Sequence, residues 1–398
     1  MASTKQTISD PVAGSQEHAS AEAVAPDRNF RFYDNRQKYL LFVNTCAEKS
    51  AVADRIAQEL PNIHPTPPAV RVFDAGVGDG SVLARVMRWM HQRFPTLPLY
   101  IVAKESSLED VRLTLDKMSD RFFEHPNTVL VLTNLYYREA PWLTPSSGVD
   151  VASLTWHEVG LKGATSRDFE AQISDLQPFL AEGWRTAVNK KTGSLRYVRP
   201  TALILYREDQ KFNLNSIIPH RTDQRANYDL VLASQPYRLR APLEFKASKV
   251  IAPLAKSLAP GGRLIGVHSY GNDPGQEIIE GIWPNENPFM HDRRQLLSAT
   301  KEALGDEAEG LIFDEQSDDD SLFRYDMHTL PSEVEESIGT DTVFAAWNAA
   351  VYVGQIEEAR IDQVLGSRQY LDVTRDVLRK HGGLWFWDES YSIVRRRS

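Results

Sequence analysis

A single cysteine, Cys46, stands in 398 residues, so no internal disulfide can form. No C-x-x-C or H-E-x-x-H spacing offers a zinc site, and no metal is expected. No apolar run approaches the roughly 18 residues that a membrane helix needs. The N-terminus lacks the apolar core of a signal peptide. Positive charge is also short: 45 Lys and Arg face 54 Asp and Glu, a formal net charge of -9. That balance argues against a general affinity for nucleic acid or an anionic membrane. No internal repeat is present, and no linker cleanly divides the chain. The expectation is a soluble cytoplasmic protein, with a homodimer left open.

What is present centres on residues 70–82, V-R-V-F-D-A-G-V-G-D-G-S-V. A β-branched run ends at Asp74, Gly76, Gly78 and Gly80 follow at alternate positions, and an amphipathic run begins at Ser81. The pattern predicts strand, tight glycine turn and helix. Glycines let the backbone turn sharply and let a ligand lie against the main chain. The helix N-terminus behind them offers free N–H groups and a positive dipole end. A dinucleotide fingerprint, G-x-G-x-x-G, would need its third glycine at position 81, which is Ser81.

The run Asp74-x-Gly76-x-Gly78-x-Gly80 resembles instead the first motif of class I S-adenosylmethionine (SAM)-dependent methyltransferases. The resemblance implies an α/β fold: a doubly wound, Rossmann-like, mostly parallel sheet with SAM as cofactor. It implies that Asp74 holds the ammonium of SAM and that the glycine turn passes under its methionine part. Glu105, just past a second buried strand, would accept hydrogen bonds from the ribose hydroxyls. Asn134, after a third strand at 128–132, stands where the family often has an acid that contacts the adenine amine. Lys104 beside Glu105 departs from this picture, because a cation suits a phosphate that SAM lacks.

The expected organisation is a tail (1–28), an N-terminal helical cap (29–68), the first part of the SAM-binding core (69–155), an insertion or lid of a helix and a hairpin (156–227), the second part of the core (228–300) and a C-terminal extension with closing strands (301–398). Within the cap, Arg36, Lys38 and Tyr39 could reach the ligand, or could belong to a solvated face. Segments 149–154 and 228–233 compete for the fourth strand. The second is favoured because a helix, a P-G-G turn at 260–262 and a strand at 263–268 follow it. A hairpin is expected across 184–198, with its turn at 189–193. Residues 301–340 hold 13 acids against Lys301 and Arg324, and read as a solvated loop. Segments 384–387 and 391–395 read as two closing strands, matching an antiparallel edge that the family carries.

Methyl transfer from a sulfonium demands positioning more than any one side chain. A hydroxyl or ammonium acceptor also needs a base. His157 with Glu158, following a candidate strand, and His268, ending the fifth-strand candidate, are the catalytic candidates. A loop histidine beside a solvated acid is the plainer reading of the first pair. Tyr237, in S-Q-P-Y, faintly resembles the N-P-P-Y signature of enzymes that methylate planar amines, without its leading Asn and one proline. Tyr237, Tyr270 and Trp283 are the substrate-binding candidates, with Trp347 beside them, since aromatic faces suit methylated ammonium groups. His64, His125, His220, His291 and His328 lack ligand spacing and read as structural. The function implied is methylation of an N or O atom of a small molecule. An NAD(P)-dependent oxidoreductase and a non-catalytic SAM-binding scaffold are the rivals.

Overall fold

The computed structural model describes residues 36–188, 195–223, 225–314, 316–328 and 338–397. The tail expected at 1–28 and the hairpin turn at 189–193 lie outside them. In chain order the described strands are β1 (Val70–Asp74), β2 (Leu99–Lys104), β3 (Thr128–Thr133), β4 (Thr155–Leu161), β5 (Thr186–Val188), β6 (Leu195–Tyr197), β7 (Thr201–Arg207), β8 (Tyr228–Ser234), β9 (Leu258–Ser269), β10 (Leu311–Asp314), β11 (Leu322–Asp326) and β12 (Trp385–Arg395).

Ten of these strands form one sheet in the order β10-β12-β9-β8-β1-β2-β3-β7-β4, with β11 also paired to β12. Strands β3, β2, β1, β8 and β9 run parallel. Strand β12 is antiparallel to both β9 and β10. The chain winds from β1 through β2 to β3 on one side, then returns to β8 and β9 on the other. Such a reversal opens a crevice beyond the carboxyl ends of the central strands.

Alternation along β1 builds the two faces. Val70 and Val72 pack with Val82, Val86 and Met90 of the helix Ser81–Arg93. Phe73 points the other way, toward Tyr228 and Val231. Because helices cover both faces, the central strands read as nearly continuous apolar runs rather than alternating ones. A third apolar cluster joins Phe42 of the leading helix Arg36–Thr45 to Trp347 and Phe386. The leading helix thus lies on the helix Thr340–Val353, where Asn348 Nδ2 donates to the Lys38 carbonyl at 3.0 Å.

Several expectations change in the structure. Segment 149–154 is not a strand: residues Gly148–Ser153 are helical, capped by Ser147, and β8 is the strand beside β1. The inserted β4 and β7 extend the sheet past β3, with β7 antiparallel to β3, instead of forming a separate cover. The two expected closing strands are one continuous strand, β12. Its polar Asp388, Glu389 and Ser390 are buried rather than forming a turn. The acid-rich 301–340 segment contains β10 and β11, both held against β12, and Asp318 accepts from Arg293 and Arg294. Leu311 and Phe313 in β10, and Phe323 and Tyr325 in β11, stand at alternate positions, which gives these strands an apolar side to bury.

Gly80 has φ +78°, and a Cβ there would meet the Thr114 backbone at 2.8 Å. Gly80→Ala is therefore expected to destabilise the protein by about 2 kcal/mol or more, measured by denaturant unfolding. An unchanged midpoint would show that the turn tolerates a side chain.

Candidate active site

Asp74 ends β1, buried, and its Oδ1 accepts the Gly76 N–H at 3.1 Å. Burial pushes its pKa up to about 7; the Gly76 N–H and Lys49 oppose the shift, and Glu105 adds to it. Gly78, with φ +56°, turns the chain under Tyr39, whose hydroxyl would stand 3.4 Å from any Cβ placed there. Its N–H donates to Glu105 Oε2 at 2.8 Å. Glu105 Oε1 accepts from the N–H groups of Ser106 at 2.6 Å and Ser107 at 2.8 Å. The turn and the segment after β2 are thereby fastened to each other through one carboxylate.

Gly76, Gly78 and Glu105 border a cavity of about 310 Å³, with Tyr39, Tyr137 and Tyr237 among its other lining residues, while Asp74 stands behind the glycine turn, outside that lining. The leading helix closes one side with Tyr39, which takes the Asp79 N–H at 3.3 Å. Helix Thr340–Val353 supplies Tyr352, 5.8 Å from Tyr39 between ring centroids. Lys49 also lines the cavity and pairs with Glu48 at 2.9 Å. Burial lowers its pKa, but the charges of Glu48, Tyr352 and Asp79 outweigh that and hold its ammonium above the ordinary value.

On the β8 side, Tyr237 heads a buried chain of hydrogen bonds. Its hydroxyl meets His268 Nδ1 at 2.7 Å, and His268 Nε2 meets Glu389 Oε1 at 2.6 Å. Glu389 also accepts from the Arg293 N–H at 2.8 Å and its guanidinium at 3.1 Å. Burial raises the pKa of Glu389, yet the bonds and charges of His268 and Arg293 prevail and hold it below the ordinary value. In the neutral form of the ring, an ionised Glu389 would fix the His268 proton on Nε2 and leave Nδ1 to accept from Tyr237. Burial, reinforced by Tyr391 and Glu389, keeps the Tyr237 phenol protonated far beyond its usual range.

The other residues singled out from the sequence are placed elsewhere. His157 and Glu158 lie within the edge strand β4, not after a strand end. Four strand spacings, roughly 19 Å, separate β4 from β1. There the His157 ring stacks on Phe179 at 4.4 Å, and Glu158 accepts from the Tyr206 hydroxyl at 2.7 Å. Asn134 is buried away from the cavity. It donates to the carbonyls of Gly183 and Arg199 and accepts the Thr201 N–H, tying the insertion to the core. Gly80 shapes the turn without lining the cavity. Tyr270 borders a separate surface cleft with His291 and Glu389. Trp283 stacks on Trp347 at 5.7 Å in the C-terminal helical cluster. Lys38 bonds to Glu358 at 2.8 Å.

Glu389, Arg293, Lys49 and Tyr352 escape the sequence reading. Glu389 sits in D-E-S, which looks like a turn between two strands. Only its partners, distant in sequence, explain a buried acid in mid-strand.

No family model matches the chain, and no curated protein matches it. Among solved structures it is similar to geranyl diphosphate methyltransferase in complex with geranyl diphosphate and sinefungin, at 13% identity and TM-score 0.30, over 86% of this chain and 77% of that one. A Galdieria sulphuraria protein bearing the name sarcosine dimethylglycine methyltransferase gives 10% identity and TM-score 0.32, over 91% and 86%. A Burkholderia thailandensis protein bound to S-adenosyl-homocysteine gives 12% and 0.29, over 86% and 76%. Likeness this slight leaves the assignment of fold to the strand order itself. By that order, and by its antiparallel β12, the chain has the doubly wound α/β fold that the glycine turn predicts.

Proposed function

We propose that the protein is a SAM-dependent methyltransferase. One observation carries the reading: two buried carboxylates, Asp74 and Glu105, flank a glycine turn that borders a single cavity. The fit to SAM rests on those groups. Gly76 and Gly78 leave the backbone bare where a ligand must pass, Asp74 can receive an ammonium, and Glu105 Oε2, which accepts the Gly78 N–H, can receive a hydroxyl as well. Bound there, SAM would supply an electrophilic methyl group on a sulfonium.

The protein's own residues then bind, cover and position. Tyr39 and Tyr352 close the cavity from the helical side, which excludes water. Tyr237 stands on the opposite wall, backed by His268 and Glu389. We assign it the proton of a protic acceptor: Tyr237 Oη takes that proton as its own passes to His268 Nδ1, and Glu389 stabilises the imidazolium. His268 thus works through Tyr237 rather than on the acceptor. The acceptor assigned is an N or O atom of a small molecule.

Asp74 gives a test that needs no acceptor. With its pKa at about 7 in the free protein, Asp74 is protonated below neutrality, and an ammonium ligand favours the ionised form. S-adenosylhomocysteine is therefore expected to bind about tenfold more weakly at pH 6 than at pH 8. Asp74→Asn should bind weakly at both and lose the slope. The same raised pKa means the folded state holds the proton more tightly than the unfolded chain. Free-protein stability from this group accordingly falls as pH rises from about 4 to 7. A wild-type affinity that is flat across this range would remove Asp74 from the ligand site.

A further inference from the structure

Lys104 lines the cavity, and the proposed cofactor leaves it without a task. It is the last residue of β2 and 8% exposed, yet it borders the cavity. Its ammonium stands 4.5 Å from the ring centroid of Tyr137. Among the described residues it makes no hydrogen bond and no ion pair. A buried cation with only an aromatic face beside it is costly to keep unless a ligand compensates it. Burial lowers its pKa, and the charge of Glu105 works against that shift.

Position separates Lys104 from the proposed cofactor groups. Lys104 ends β2 and Glu105 follows it, and their side chains reach different partners around the cavity. Glu105 turns onto Gly78 and spends its oxygens on three backbone N–H groups. Lys104 turns to Tyr137, whose hydroxyl donates to the Pro236 carbonyl in the segment after β8. That segment continues into Tyr237, which we assign to the acceptor. The same wall carries Arg238, a second cation bordering the cavity.

Resting on the methyltransferase reading, we propose that the methyl acceptor carries an oxyanion group, carboxylate or phosphate, received by the Lys104 ammonium beside Tyr137. A charge-assisted hydrogen bond of this kind supplies a discrimination of about tenfold or more over a neutral isostere.

The test uses the full chain saturated with S-adenosylhomocysteine, titrated calorimetrically with phenylacetate, phenyl phosphate and neutral phenylacetamide. One or both anions should bind at least about tenfold more tightly than phenylacetamide. Lys104→Gln should erase that preference, Lys104→Arg should keep it, and neither should move S-adenosylhomocysteine affinity more than about twofold. Because Lys104→Gln removes an unpaired buried charge, its melting temperature should equal or exceed that of the wild type. Equal binding of the three probes, or a preference that survives Lys104→Gln, overturns the proposal. So does a Lys104→Gln protein that binds S-adenosylhomocysteine poorly but 5′-methylthioadenosine normally, since that places the cation on the cofactor's carboxylate. If S-adenosylhomocysteine fails to bind the wild type, the methyltransferase reading falls. An anion preference abolished by Lys104→Gln in the unloaded protein would then keep the anion site alone.

Discussion

Glu105→Ala is expected to weaken S-adenosylhomocysteine binding by about a hundredfold or more while the protein stays folded. The magnitude follows from a hydroxyl hydrogen bond to a carboxylate, about 1.5 to 3 kcal/mol where water is excluded, together with the loss of the backbone bonds that shape the turn. Part of the loss comes from the turn itself. Without the carboxylate, the N–H groups of Gly78, Ser106 and Ser107 lose their shared acceptor, and the glycine turn is no longer held to β2. Glu105→Gln separates the two contributions, because an amide oxygen can accept from the backbone but receives hydroxyl donors less strongly. An intermediate affinity for Glu105→Gln is expected. Wild-type affinity in Glu105→Ala, read by calorimetry, would remove Glu105 from the ligand site.

Tyr237→Phe is the second large effect: turnover is expected to fall about a hundredfold or more, with S-adenosylhomocysteine affinity changed less than twofold. The ring remains to fill the wall, so the deleted hydroxyl is what the measurement reads. Glu389→Gln should act through the same chain. It removes the charge that fixes the proton on His268 Nε2, and the lower limb of the pH–rate profile should shift. A merely structural Glu389 would change stability without moving that limb. Full turnover in Tyr237→Phe, with methylated product measured by mass spectrometry, would take proton transfer away from this residue.

The fold was legible where local signals and burial agree. Asp74 to Gly80 and the apolar β1, β2 and β3 announce strand, turn and buried sheet, because parallel strands covered on both faces need continuous apolar runs. The unit from β8 to β9 reads as clearly, although Pro260, Gly261 and Gly262, expected as a turn, lie inside β9 at an irregularity in its pairing with β8. Legibility stops where partners are remote. Asp388-Glu389-Ser390 has the composition of a turn, and it is Arg293 and His268 on Glu389 and Arg55 on Ser390, each from a different segment, that let those two side chains be buried in a continuous strand. The same holds for β4. His157 beside Glu158 suggests chemistry when the sheet is imagined ending at β3, but β7 and β4 add two strands and carry the pair to the rim.

Within the site, local sequence marks the ligand-facing turn and fails on the wall opposite. Asp74, Gly76, Gly78 and Glu105 belong to one short stretch and the next strand. Asn134 occupies a suggestive position after β3, yet Gly183, Arg199 and Thr201 from the insertion engage both its amide hydrogens and its oxygen. Tyr39 and Tyr352 come from helices some 300 residues apart, and nothing in either helix announces the other.

Calorimetric titration of the purified protein with S-adenosylhomocysteine, beside NADH and NADPH, tests the central claim most directly. Micromolar binding of S-adenosylhomocysteine alone, weakened by Glu105→Ala, is the expected result. Binding of a nicotinamide cofactor in its place would contradict the account and give the glycine turn to an oxidoreductase.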